Sequence, residues 1–167
     1  MLIDSAPGRG TEVPILLPRG SESVRRRSEP QVSAVEPETG SGETVLVVGD
    51  DALVRAAMAE TLGDLGYRVM EAMDADEALA MLDGGVAADV VLSDVMMPGG
   101  MNGVEFAAAA RLRFPALPVV LATGHVGTLD GRPLSPGMDL LPKPLGRGAI
   151  AAAVRRALTD TREAVGA

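Results

Sequence analysis

Four short apolar runs in this sequence lead into polar residues able to do chemistry: TVLVV before Asp50, DVVLS before Asp94, PVVLA before Thr123 and MDLL before Lys143. Two carboxylates brought together repel unless they share a cation, and hard oxygen ligands favour Mg2+ or a similar ion that keeps several waters. A carboxylate beside such an ion can attack phosphorus, because the ion offsets charge and steadies the phosphoryl oxygens. Asp94 is the central candidate for that nucleophile. Thr123 could donate its hydroxyl to one phosphoryl oxygen, and the Lys143 ammonium could pair with another. Lys143 is the only lysine in the chain, the other fourteen basic residues being arginine (15 minus 1). A compact ammonium can approach a phosphoryl group where a planar guanidinium would not fit.

Such residues act together only if the chain carries them to one place. Thr44 to Val48 is a short, continuous, β-branched run, as in a strand covered on both faces. Val54, Ala57, Met58, Thr61, Leu62 and Leu65 follow with helical spacing, and Gly66 stands where a helix-ending glycine belongs. The alternation continues with Tyr67 to Ala72 as strand, Ala75 to Leu82 as helix, Asp89 to Ser93 as strand and Asn102 to Arg113 as helix. Pro118 to Ala122 and Met138 to Leu141 read as two more strands, and Ile150, Val154, Ala157 and Leu158 as a last amphipathic helix. Between those two strands, residues 124–137 hold many Gly and Pro, so a helix there is expected to be short or irregular. This order predicts an α/β fold with a parallel sheet, helices on both faces, and a site beyond the carboxyl ends of the strands.

Composition narrows the partners. The 167 residues are 47% hydrophobic, enough for one domain plus a tail. A net charge of -8 and a pI near 4.6 repel nucleic acid phosphates, and 2% aromatics leave no base-stacking platform. Without cysteine there is neither a disulfide framework nor a thiolate site. No apolar run reaches the roughly 20 residues of a membrane helix, and no secretory signal opens the chain, so a cytoplasmic location is expected. Residues 20–42 are rich in Ser, Glu, Pro and Gly and are expected to be a disordered linker, the Arg25-Arg26-Arg27 run being solvated chain within it.

The sequence resembles response-regulator receiver domains, specifically those fused to the C-terminus of hybrid histidine kinases. The resemblance covers residues 43–162 and rests on VLVVGDD with Arg55 downstream, LSDVMMPGGMNG around Asp94, ATG at Thr123, and LLPKP at Lys143. It implies a flavodoxin-like doubly wound sheet of five strands in the order 2-1-3-4-5. It implies that Asp94 is the phosphoacceptor, that Asp50, Asp94 and the backbone carbonyl of Met96 hold Mg2+, that Thr123 and Lys143 sense the phosphoryl group, and that the bond before Pro144 is cis. The phosphodonor would be a histidine kinase or histidine phosphotransfer protein, with no small-molecule ligand. A receiver catalyses its own phosphorylation and dephosphorylation.

Two positions depart from the family pattern. Where two acids usually follow the first strand, Gly49 precedes Asp50, so Mg2+ affinity is expected to fall; Asp51 is read as a helix N-cap. The switch position before the lysine, often aromatic, is Leu140. The departure at Gly49 supports an alternative, a pseudo-receiver that signals by binding alone. A haloacid-type aspartyl phosphohydrolase would want an acid two residues after the nucleophile, where Met96 stands. His125 reads as an exposed loop residue. Residues 1–19 resemble the end of a histidine-kinase ATP-binding domain, with Gly8, Gly10 and Thr11 in a turn and a strand from Thr11 to Leu17 closing on Pro18. The chain is therefore expected to be the tail of a hybrid kinase, without the kinase core, and residues 163–167 a short tail.

Overall fold

The computed structural model describes residues 4–6, 8–12, 40–124 and 137–165. The chain divides into two compact units, Met1–Ser33 and Ala34–Ala167. In the first, β1 (Asp4–Ala6) pairs antiparallel with β2 (Gly10–Glu12) across a turn containing Gly8. The expected strand from Thr11 to Leu17 is thus described only as far as Glu12; residues 13–17 lie outside the described residues.

The second unit alternates strand and helix: β3 (Thr44–Val48), α1 (Ala52–Asp64), β4 (Arg68–Ala72), α2 (Ala75–Asp83), β5 (Val90–Asp94), α3 (Gly103–Arg113), β6 (Val119–Thr123), β7 (Met138–Pro142) and α4 (Arg147–Val165). All neighbouring strands are parallel and the sheet order is β4-β3-β5-β6-β7, the flavodoxin-like order 2-1-3-4-5. The expected Gly/Pro-rich stretch falls largely on residues 125–136, which are outside the described residues, as is His125.

Alternation along the strands explains the layering. Val45, Val47, Val90, Leu92, Val120 and Leu141 pack with α1 and α4. Leu46, Val48, Val91, Val119 and Leu121 face the other way and pack with α2 and α3. Strands buried on both faces read as continuous apolar runs, which is why TVLVV, VVL and VVLA show no polar alternation. Burying each such side chain stabilises by about 1.5–3 kcal/mol, so the three central strands, fully buried along most of their length, anchor the sheet.

Helix ends follow local chemistry. Asp51 caps α1, accepting from the Leu53 and Val54 amides at 2.9 and 3.2 Å, as expected from its position. Gly66 ends that helix with a φ of 85°, a conformation glycine adopts without penalty. Asn102 and Glu105 form a reciprocal capping box at the start of α3. The apolar stripe of α1 is narrower than expected: Met58, Leu62 and Leu65 are buried, while Ala57 is exposed.

Candidate functional site

Asp94 and Thr123 are the last residues of β5 and β6, one place earlier relative to the strand ends than the sequence had implied. The ladder runs on because the Val95 amide donates to Ala122 O (3.0 Å) and the Lys143 amide to Thr123 O (2.7 Å), so the polar residues inherit sheet geometry. Asp94 lies level with Ala122, and Thr123 level with Pro142. Lys143 follows one residue on, and its Nζ reaches Asp94 Oδ2 at 2.5 Å. This ion pair is half sheltered, with 13% of the Asp94 side chain and 30% of the Lys143 side chain exposed. The Lys143–Pro144 peptide bond is cis. Thr123 is buried, and Leu140, on β7, packs partly into the layer facing α2 and α3.

The other flank of Asp94 is built differently. Val48 pairs with Ser93, so Gly49 follows one place on, beside Asp94; a Cβ built at Gly49 would lie 3.9 Å from Asp94 Cβ and within 4 Å of nothing else outside its chain neighbours. The Arg55 guanidinium holds this turn by donating to Gly49 O at 2.6 Å while pairing with Glu71 at 3.3 Å. Asp50 is exposed and lines a small cavity of about 90 Å3 with Asp74, Asp76, Met97, Pro98 and Gly99. A larger cavity of about 600 Å3 lies among the amino ends of β6 and β7, lined by Arg111, Met138, Asp139 and Arg156; it holds none of the four candidate residues. The four candidate residues therefore lie at the shallow carboxyl edge and not in the larger void.

Residues 45–155 match the model of the response regulator receiver domain, more than half of the chain. The chain belongs to the response regulator receiver family. The sensor kinase CckA of Brucella abortus is 32% identical over 163 residues, a match covering 93% of this chain and 17% of that protein. Among solved structures, the receiver domain of the hybrid histidine kinase CckA is 32% identical with a TM-score of 0.58, covering 69% of this chain and 98% of that one. The response regulator TrrA of Thermotoga maritima, in complex with Mg2+-BeF, is 26% identical with a TM-score of 0.63, covering 70% of this chain and 99% of that one.

Sequence reasoning had passed over two supports of the receiver's edge. Gly103, the first residue of α3, lies so close to Asp94 that any Cβ there would collide with the Asp94 carbonyl oxygen; its amide donates to Val95 O at 3.0 Å. Ser93 Oγ donates to that same Asp94 carbonyl at 3.0 Å. The signal was present as the glycine after Asn102 in LSDVMMPGGMNG, but only the approach of α3 to β5 gives it meaning. Among the described residues, three of the four exposed large apolar side chains, Leu53, Met73 and Met96, belong to the segments following β3, β4 and β5, and so crown this edge.

The donor set fits a hard cation that keeps most of its water. Asp94 Oδ1 accepts a long bond from the Met96 amide at 3.2 Å, and Asp50 shares its small cavity with the loop that follows Asp94. Among the described residues no group of three or more His, Cys, Asp or Glu gathers closely enough to enclose a metal. The carboxylates of Asp50 and Asp94 are oxygen donors of the kind that suit Mg2+, which is usually held through one or two carboxylates and waters.

Proposed function

We propose that the receiver accepts a phosphoryl group on Asp94 from a phosphohistidine in a kinase or phosphotransfer protein, with Mg2+ held by Asp50, Asp94 and the Met96 carbonyl. The observation that carries this reading is the contact of Lys143 Nζ with Asp94 Oδ2 at the carboxyl edge of the sheet, beside the end of β6 where Thr123 stands. An Asp94 carboxylate oxygen attacks phosphorus, an O–P bond forms, and the N–P bond breaks. The imidazole leaves with the electron pair and takes a proton from solvent. Lys143 then pairs with a phosphoryl oxygen as it had with the carboxylate, and the Thr123 hydroxyl donates to another. Mg2+ supplies charge neutralisation for the phosphoryl oxygens when bound.

The exposed rim of Leu53, Met73 and Met96 supports a protein as donor, since apolar side chains around a charged centre serve contact with a partner surface. The match to the CckA sensor kinase extends beyond residues 45–155, which supports residues 1–19 as the end of a kinase ATP-binding domain, 20–42 as linker and 43–162 as the receiver of a hybrid kinase. A donor phosphorylated from ATP implies a cytoplasmic setting; among the described residues no helix is long and apolar enough to cross a membrane.

The test is incubation with a small phosphodonor and Mg2+ followed by intact-mass measurement. A gain of one phosphoryl group, lost in Asp94→Asn, is the expected result. No Asp94-dependent gain, even with an acid restored at position 49, defeats the reading. A second reading, a pseudo-receiver acting by binding alone, is favoured by the bare flank at Gly49. It gains if Mg2+ binds the native chain no better than Asp50→Ala.

A further inference from the structure

We infer that the cavity of about 600 Å3 among the amino ends of β6 and β7 binds a small organic carboxylate with a compact apolar body, its anionic end taken by Arg111. The site lies at the end of the sheet opposite Asp94, and it stands or falls without the phosphoacceptor reading. The family resemblance implies no small-molecule ligand. The walls come from the end of α3, the starts of β6 and β7, and α4, which are too far apart in sequence to read as a motif.

The charge balance singles out Arg111. Arg55, Arg113, Arg147 and Arg156 each meet a carboxylate, on Glu71, Asp83, Asp64 and Asp139. Arg111 meets none among the described residues; its Nη1 donates to the Leu117 carbonyl at 3.2 Å. A guanidinium carries its N–H donors in a planar fork. The Nε and Nη2 edge of Arg111 is therefore left without an acceptor among the described residues, and that edge suits a carboxylate through two parallel bonds. Gly137 makes room for the group: a Cβ built there would lie 2.6–2.7 Å from Cζ, Nη1 and Nη2 of Arg111, so the guanidinium rests against bare backbone. Arg111 is half-buried, so an anion that reaches it is screened less than at an exposed arginine. The polar side chains nearby are spoken for. Asp139 is held by Arg156 at 2.7 Å, the Thr161 hydroxyl donates to Ala157 O at 2.9 Å, and Asp160 is exposed to water.

Size and lining select the rest of the ligand. The volume falls within the roughly 300–1,000 Å3 of small-molecule sites. Pro115, Ala116, Pro118, Met138 and Ala157 supply apolar wall, Pro118 and Ala157 being buried and Met138 half-buried. An inorganic anion would meet Arg111 and leave that wall uncovered. A neutral apolar molecule would cover the wall and leave the guanidinium unanswered. A carboxylate on an apolar body satisfies both.

The experiment is NMR of the isotope-labelled full chain, following the Met138 and Ala157 amides and the Arg111 Nε–H resonance. The probes are benzoate, benzamide as its neutral counterpart, and acetate as the anion without an apolar body. Benzoate is expected to shift all three resonances saturably, with a dissociation constant of millimolar order, as its size allows. Benzamide and acetate are each expected to bind at least about tenfold more weakly. Arg111→Gln is expected to abolish the benzoate response while the amides of β3 and β5 keep their native positions. Absence of a saturable benzoate shift overturns the inference. So does equal binding of benzamide, since charge would then play no part, or of acetate, since the apolar wall would play none. These comparisons use the native chain and need no variant to fold. An undiminished benzoate response in Arg111→Gln, with β3 and β5 native, assigns the anion to another group and equally overturns it.

Discussion

The two flanks of Asp94 are finished to different degrees. Toward β6 and β7 everything is in place: Thr123 is buried, Lys143 is tied by its amide to Thr123 O, and its ammonium already touches the carboxylate. Toward β3 the chain offers a bare Gly49 and an exposed Asp50. The positive partner of Asp94 is therefore built into the fold on one flank, while the other flank sets a glycine beside it.

Breaking the finished flank should have the largest effect. Lys143→Ala is expected to slow phosphoryl uptake from a small donor by about 100-fold, as removal of one charged stabilising donor does elsewhere, measured by the time course of intact mass. An unchanged rate would mean that the preformed contact has no share in the reaction. Next comes the support beneath Asp94. Gly103→Ala forces a methyl group into the Asp94 carbonyl and should cost about 1–3 kcal/mol in urea unfolding, with slower uptake because α3 must move away from β5. Asp51→Ala removes the α1 cap next to the open flank and should cost about 1 kcal/mol. Its Mg2+ affinity should stay near native, which sharpens the division of labour between adjacent aspartates; a loss equal to that of Asp50→Ala would make Asp51 a ligand as well. The smallest effect belongs to the distant exposed pair Arg147–Asp64, 3.1 Å apart, whose removal by Arg147→Ala should shift stability by about 0–1 kcal/mol and uptake not at all.

Much of the fold was legible because the central strands are buried on both faces. TVLVV coincides with β3 as observed, and the polar residues after the apolar runs do converge on one edge. Boundaries moved by one residue at Asp94 and Thr123, because backbone hydrogen bonding to a neighbouring strand continues past the point where side chains turn polar. The final helix extends well beyond the apolar stripe of Ile150 to Leu158, over Arg147–Val165; its exposed first turn, residues 147–149, needs no apolar signal. At the site, the candidacy of Asp94 and Lys143 was legible from residue type and place after a strand, whereas the role of Gly103 was not. A glycine in a Gly-rich loop looks like a turn former until a strand carbonyl is found against it.

By itself the sequence determined which residues could do chemistry and that they would lie at strand ends, because hydrophobic periodicity is a local property written into neighbouring positions. Tertiary structure alone decided that Lys143 grips Asp94 across 49 positions of chain, that Gly103 presses on its carbonyl, and that the place beside it at Gly49 is open. Those are distances between residues remote in sequence. They are set by how parallel strands register and how closely helices pack on them, which no local pattern encodes.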